Sequence, residues 1–300
     1  MEPVTRAVAA ARLGLGTALR DRVSGESASQ RAAEIWGADG ERWFTSDDVI
    51  WQVHGDAAMF IGGIRALLLQ SLHPLAMAGV AGHSGYKSDP WGRLERTSHF
   101  IAMTTMGPIG AAEATIEKVR AIHRRVRGRA PDGRPYRADD PDLLRWVHVA
   151  EAHSFVTTYQ AFGPRRLTDA ELDIYCDQAA HAGELLGATE VPHTWGELVE
   201  TLDGYRPVLM ATPAAKEAAR FVLLEPPLPL SQRPGYALLA AGAVATLPVW
   251  AREMLDLPRF PGFDGLIGRP LGRFGTSVSR WAITAPELAE TRQVRPSVAQ

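Results

Sequence analysis

Residues 56–72, DAAMFIGGIRALLLQSL, are apolar nearly all round, and their reading decides the fold class. A surface helix keeps a polar stripe, whereas one apolar on every side is buried on most of its faces. His73-Pro74 follows, and proline pushes its predecessor out of the α region, so the helix is expected to end or bend near His73. Arg65, Gln70 and this break interrupt the run. A bilayer-spanning helix needs about 20 mostly apolar residues, so the segment reads as core rather than membrane. A second apolar run, Tyr236 to Trp250, is 15 residues long, contains Pro248 and reads the same way.

Working outward, the helical signals continue. Residues 111–127, AAEATIEKVRAIHRRVR, space Ile116, Val119, Ile122 and Val126 along one face, with Gly128 as a stop. The following GRAPDGRPYRADDP has the composition of an exposed loop. Asp139-Asp140-Pro141 then opens a helix that carries Leu143, Trp146 and Val149 and runs towards Tyr159. Thr168 with Glu171 forms a capping-box signature for a helix reaching about Leu186, and Thr194 with Glu197 repeats it. Thr212-Pro213 starts another, and the last apolar helix covers Tyr236 to Met254. No long run of alternating β-branched residues argues for a sheet. The fold class is all-α: a single multi-helix domain over residues 1–300, its N-terminal segment and the tail after Leu257 expected to be less regular.

Composition narrows the class further. At 46% apolar and 22% charged residues, the chain of 300 has material for a sizeable core. A net charge of -2 gives no electrostatic reason to expect a nucleic acid partner. Cys176 is the single cysteine, which excludes an internal disulfide framework and a multi-cysteine metal site and suits a reducing compartment. The N-terminus has arginines within its small apolar stretch, unlike a secretory signal, so a cytoplasmic location is expected. The basic run KVRAIHRRVR is the one hint of peripheral contact with acidic lipid. Nothing in the sequence specifies an oligomeric state, and no flavin or nicotinamide fingerprint is present.

Nine histidines are the obvious candidates for chemistry. There is no HExxH, HxH or CxxC pattern, so a structural zinc site has almost no support. His148 and His153 are five apart, a poor fit to one helix face. His123 has Arg120 at i-3 and Arg127 at i+4, so one helix face would present an imidazole for a haem iron and two guanidiniums for its propionates. A solvated basic stripe explains the same residues, and on pattern alone it is the stronger interpretation. Arg93, Arg96 and Thr97 likewise put two cations and a hydroxyl on one face, suited to an anion, to dioxygen or to solvent. A non-haem iron site built from His73, His123 and His148 lacks a neighbouring carboxylate.

The order and spacing of these pieces resemble the oxygenase family of the latex-clearing proteins (rubber oxygenases) and the mycophenolate-pathway MpaB oxygenase. The resembling elements include Gly55-Asp56, Leu72-His73-Pro74, Asp89-Pro90 with Arg93 and Thr97, His123 with Val126 and Gly128, Asp140-Pro141, Trp146-Val147-His148 and Leu247-Pro248 with Arg252, over about residues 45–257. The resemblance implies a haem b-dependent oxygenase or oxidase that acts on an apolar small molecule with dioxygen. His123 best matches the iron ligand, with His148 as the alternative. Arg93, Arg96 and Thr97 match the residues lining the haem pocket, although Arg96 replaces a lysine that can cap the iron, and a guanidinium does not lose its proton to do so. The relatives use an acidic residue upstream of the arginine; here no carboxylate lies between Asp56 and Asp89, and His73 stands as the distal acid or base. Substrate is expected between the apolar helices of residues 57–80 and 236–250. Oxidative cleavage of a carbon-carbon double bond is the default reaction, a biosynthetic tailoring step the variant, and a non-catalytic haem sensor or carrier the alternative.

Overall fold

The apolar run breaks where Pro74 requires it. In the computed structural model, which describes residues 3–25, 28–83 and 89–289, one helix ends at Gln70, the next begins at Pro74, and their axes differ by 107°. In chain order the first helices are α1 (Pro3–Ser24), α2 (Ala28–Ala32), α3 (Val49–Gly55), α4 (Ala58–Gln70), α5 (Pro74–His83), α6 (Pro90–Met106) and α7 (Ile109–His123). A short antiparallel ribbon of β1 (Arg127–Arg129) and β2 (Pro135–Arg137) leads into α8 (Pro141–Phe162) and α9 (Asp169–Leu186). Then come α10 (Trp195–Gly204), α11 (Pro213–Leu224), α12 (Arg233–Thr246), α13 (Val249–Met254), α14 (Arg269–Ile283) and α15 (Pro286–Ala289). The fold is all-α; the ribbon is the only sheet among the described residues. Among those residues no single helix is long and apolar enough to cross a membrane.

Side-chain caps set many of the helix starts. Asp89 and Asp140 accept from the first-turn amides of α6 and α8, each ahead of a proline, and Thr212 caps α11. Both expected capping boxes form, Thr168 with Glu171 and Thr194 with Glu197.

At the centre α4 packs against α8 on one side and α12 on another. Trp146, Ile61, Leu68, Val149 and Tyr175 are fully buried there. Arg65, 1% exposed, lies among them. Its guanidinium donates to the Thr246 carbonyl of α12 at 3.0 Å, and to Ser154 Oγ at 2.7 Å and His153 Nδ1 at 3.1 Å on α8. Burial lowers the Arg65 pKa to about 9. Alanine here would remove all three bonds and leave a cavity.

Four sequence expectations are corrected. The segment after Leu257 is ordered: a π-helical turn (Phe263–Gly268) runs into α14. It packs because Gly272 meets Gly242 of α12 so closely that an added Cβ would lie 2.9 Å from the opposing Cα. The N-terminal segment is helical as α1, which lies against α14; residues 290–300 are outside the described residues. The helix through His123 stops there, and Arg127 begins β1, because residues 127–129 pair with 135–137 and Gly128 is covered by the Tyr136 ring. Finally, α4 and α12 do not part around a cavity at Gly242, where an added Cβ would lie 2.8 Å from Ile61 Cδ1. The matching test of the core is Arg65→Ala: chemical denaturation should show a loss of roughly 3–5 kcal/mol, and a loss within experimental error would show that Arg65 does not tie these helices.

Candidate functional site

Helix α6 and helix α7 form an antiparallel pair joined at Gly107-Pro108, where Gly107 ends one helix and Pro108 precedes the next. Arg93 stands 14 residues before Gly107 and His123 stands 15 after Pro108. At about 1.5 Å per residue both fall roughly 21–23 Å from the turn, so the two lie at the same open end of the pair. The sequence spacing of the two thus places them at the same end of one helical turn-back.

His123 is partly buried, and its Nδ1 is enclosed without a hydrogen-bond partner among the described residues. Burial holds its pKa below the ordinary value, only partly offset by the Asp139 charge. The ring is therefore neutral near pH 7, the state in which imidazole donates a lone pair to iron. A half-buried, neutral imidazole with a nitrogen unpartnered among the described residues could hold a haem iron. His148 also has a buried unpartnered nitrogen, Nε2, and burial lowers its pKa to about 4. Its ring, however, lies against α9: a Cβ at Gly183 would come within 2.9 Å of His148 Nδ1, and the charge acting on it is that of His193. His148 faces α9, whereas His123 shares an end of the helix pair with Arg93.

The remaining sequence candidates separate. Arg93 is half-buried, and its charge acts on Glu151 of α8. Thr97 is exposed, and Arg96 is exposed and paired with Asp89 at 3.1 Å. Arg120 is exposed with Glu117 at 3.7 Å, and Arg127 is exposed with Asp139 at 3.5 Å. The expected common face of Arg120, His123 and Arg127 is not formed, since Arg127 has left the helix. His73 is 5% exposed and sits beside the Trp146 and Tyr205 rings, 6.0 and 6.3 Å between centroids. Its Nδ1 accepts from the Ala76 amide at 3.5 Å, and burial lowers its pKa. The charges acting on it are those of Asp142, Arg134 and Asp140. His73 thus supports the α4–α5 bend. Cys176 is a buried thiol pushed up to about 12 by burial, which disfavours the reactive thiolate. No three metal-ligating side chains converge among the described residues, so the triad of His73, His123 and His148 is not assembled.

The structure brings in two groups that sequence reasoning passed over. Glu151 lies one turn beyond His148 and accepts from Gln70 Nε2 at 2.9 Å. Burial pushes its carboxyl up to about 7, against the opposing pulls of the Gln70 bond and the Arg93 charge. It is a carboxyl on α8 on which the Arg93 charge acts. His54 of α3 bridges Thr105 Oγ1 of α6 at 2.9 Å and Tyr175 Oη of α9 at 3.2 Å. Burial takes its pKa down to about 3, and Tyr175 in turn feels the Glu151 charge.

Glu151, with the Arg93 charge acting on it, and His123, at the same end of the α6–α7 pair as Arg93, are held in an all-helical frame. The family model described as ER-bound oxygenase mpaB/B'/Rubber oxygenase, catalytic domain, matches residues 51–280, and the chain belongs to that oxygenase family. The match reaches into α14, beyond the part where the sequence resemblance had been placed. No curated protein and no solved structure matches the chain.

The Glu151 environment has a consequence for stability. Unfolded, the carboxyl titrates near its ordinary value of 4.5; folded, it titrates at about 7. Between those values the unfolded chain releases its proton first, so the folded state loses stability as pH rises through the window. Glu151→Gln removes that loss. In thermal melts across pH 4.5 to about 7, the difference in Tm between variant and parent should shift steadily in favour of the variant and then level off; a pH-independent difference would contradict the burial of this acid.

Proposed function

We propose that the chain is a haem b-dependent oxygenase that uses dioxygen on an apolar small molecule, with His123 as the iron ligand. The observation that carries this reading is the half-buried, neutral His123, its Nδ1 without a hydrogen-bond partner among the described residues, at the same end of the α6–α7 pair as Arg93. Haem b, when bound, supplies the redox chemistry that activates dioxygen. The chain supplies the rest. Burial keeps the His123 lone pair available at neutral pH. Arg93 provides a fixed positive charge for a propionate or for developing negative charge on a reacting oxygen.

Glu151 takes the proton-transfer role that the sequence assigned to His73. A carboxyl with a pKa of about 7 populates both forms near neutrality, which suits a proton acceptor that must also be reset. Gln70 fixes its orientation by donating to Oε1. The rubber oxygenases in the family description make oxidative cleavage of a carbon-carbon double bond in an isoprenoid-like chain the first reaction to assay. A haem carrier without turnover would share the spectrum but consume no oxygen with substrate.

The purified protein should show a Soret band that shifts on reduction and again with carbon monoxide. His123→Ala should abolish that band while His148→Ala retains it; the reverse pattern would move the ligand to α8. Glu151→Gln should retain the band yet lower kcat roughly a hundredfold or more. It should also remove the rise in parent activity through pH of about 7. Unchanged turnover in that variant would remove Glu151 from the mechanism.

A further inference from the structure

The segment once expected to be an irregular tail carries the densest exposed apolar surface among the described residues. Phe260 is 54% exposed, Leu266 82%, Ile267 41%, Leu271 37%, Phe274 63% and Trp281 41%. Scattered exposed leucines need no explanation, but five large apolar side chains within one turn and one helix, with Phe260 just before them, form a patch, and such patches mark docking surfaces. On α14, Leu271, Phe274, Val278 and Trp281 recur at helical spacing on the side away from α12, while Gly272, Gly275, Thr276 and Ser279 are buried.

The charge around this face is one-sided. The sequence of α14 contains three arginines and no acidic residue. Arg273 runs along the edge of the apolar stripe and Arg269 stands at the start of the helix, both exposed. Of the acids preceding α14, Asp264 is engaged with the buried Arg252 at 2.6 Å and Glu253 with Arg259 at 3.3 Å. The helix is firmly mounted: Arg280 reaches inward to Asp56 at 2.7 and 2.8 Å and to the Phe162 carbonyl at 2.8 Å. At its far end Trp281 lies under the Arg12 guanidinium, 5.6 Å from the ring centroid, and Arg12 donates to the Trp281 carbonyl at 2.8 Å. An apolar face with aromatic side chains and a cationic border is the composition of a helix that lies in the interface of a bilayer.

We infer that the π-helical turn and the outer face of α14 form a peripheral docking surface for an anionic lipid bilayer, with Leu266, Leu271 and Phe274 entering the acyl boundary and Arg269 and Arg273 meeting the headgroups. The surface is separate from the α6–α8 site and does not depend on the haem reading. A second copy of the chain has less to recommend it, because α14 carries three arginines and no acid with which to meet a second α14.

The experiment is co-sedimentation of the full chain with phosphatidylcholine vesicles, with and without phosphatidylglycerol, alongside light scattering for mass. Binding should require phosphatidylglycerol. It should fall roughly tenfold or more in Leu266→Glu/Phe274→Glu, and also in Arg269→Glu/Arg273→Glu, since each apolar insertion and each basic contact is worth about 1 kcal/mol or more. All four positions are exposed, so an unchanged Tm confirms folding of the variants. Failure to bind either vesicle, binding that persists in the Leu266→Glu/Phe274→Glu variant, or a dimer that this variant dissolves would each overturn the assignment.

Discussion

A guanidinium in a protein interior is tolerated only where enough acceptors replace the water it gives up, and Arg65 meets that condition without any carboxylate. Its acceptors are a carbonyl, a hydroxyl and an imidazole. The last works only if His153 stays neutral with Nδ1 unprotonated, and burial together with the Arg65 charge keeps it so. These bonds come from two helices, so they fix α8 in rotation about its axis as well as in distance from α4. Fixing that rotation decides what the rest of α8 presents. With His153 and Ser154 turned to Arg65, Glu151 is turned to Gln70 and towards Arg93, and Phe155 meets the His54 ring at 5.4 Å. The position of the proposed site therefore follows from a charge that takes no part in it.

Local signals in the sequence were good guides wherever the determinant was local. An Asp-Pro pair, a threonine three residues before a glutamate and a proline after a histidine each act within one turn of chain, and each produced the boundary it implied. The misreadings share the opposite cause. Periodicity carried the helix past His123 because it does not register that Arg127–Arg129 has a pairing partner at Pro135–Arg137. Glycine and arginine made α14 look irregular, yet Gly272 and Gly275 are what let it press against α12, and Arg280 is what anchors it. Glycine weakens an isolated helix; its tertiary gain at a close crossing is invisible in composition.

The site divides along the same line. His123 and Arg93 were singled out by resemblance rather than by residue pattern, and the α6–α7 pair brings both to one end. Glu151 was not reachable, because nothing in VHVAEAHSF distinguishes a solvated glutamate from one turned towards an arginine on another helix. His73 attracted the acid-base role because it is polar in an apolar stretch; its surroundings show a residue employed in the bend, with its ring nitrogen on a backbone amide.

Burial acts on the two key titratable groups in opposite directions with a common result. It lowers the pKa of His123 and raises that of Glu151, so each is drawn towards its uncharged form. Arg93 opposes this for Glu151 alone, since its positive charge favours the carboxylate. An acid left to desolvation would stay protonated and be of no use as a base; one fully paired with arginine would stay ionised and hold no proton. The competition between the two leaves Glu151 poised near neutrality. That balance suits chemistry in which an apolar substrate must enter and a single proton must move.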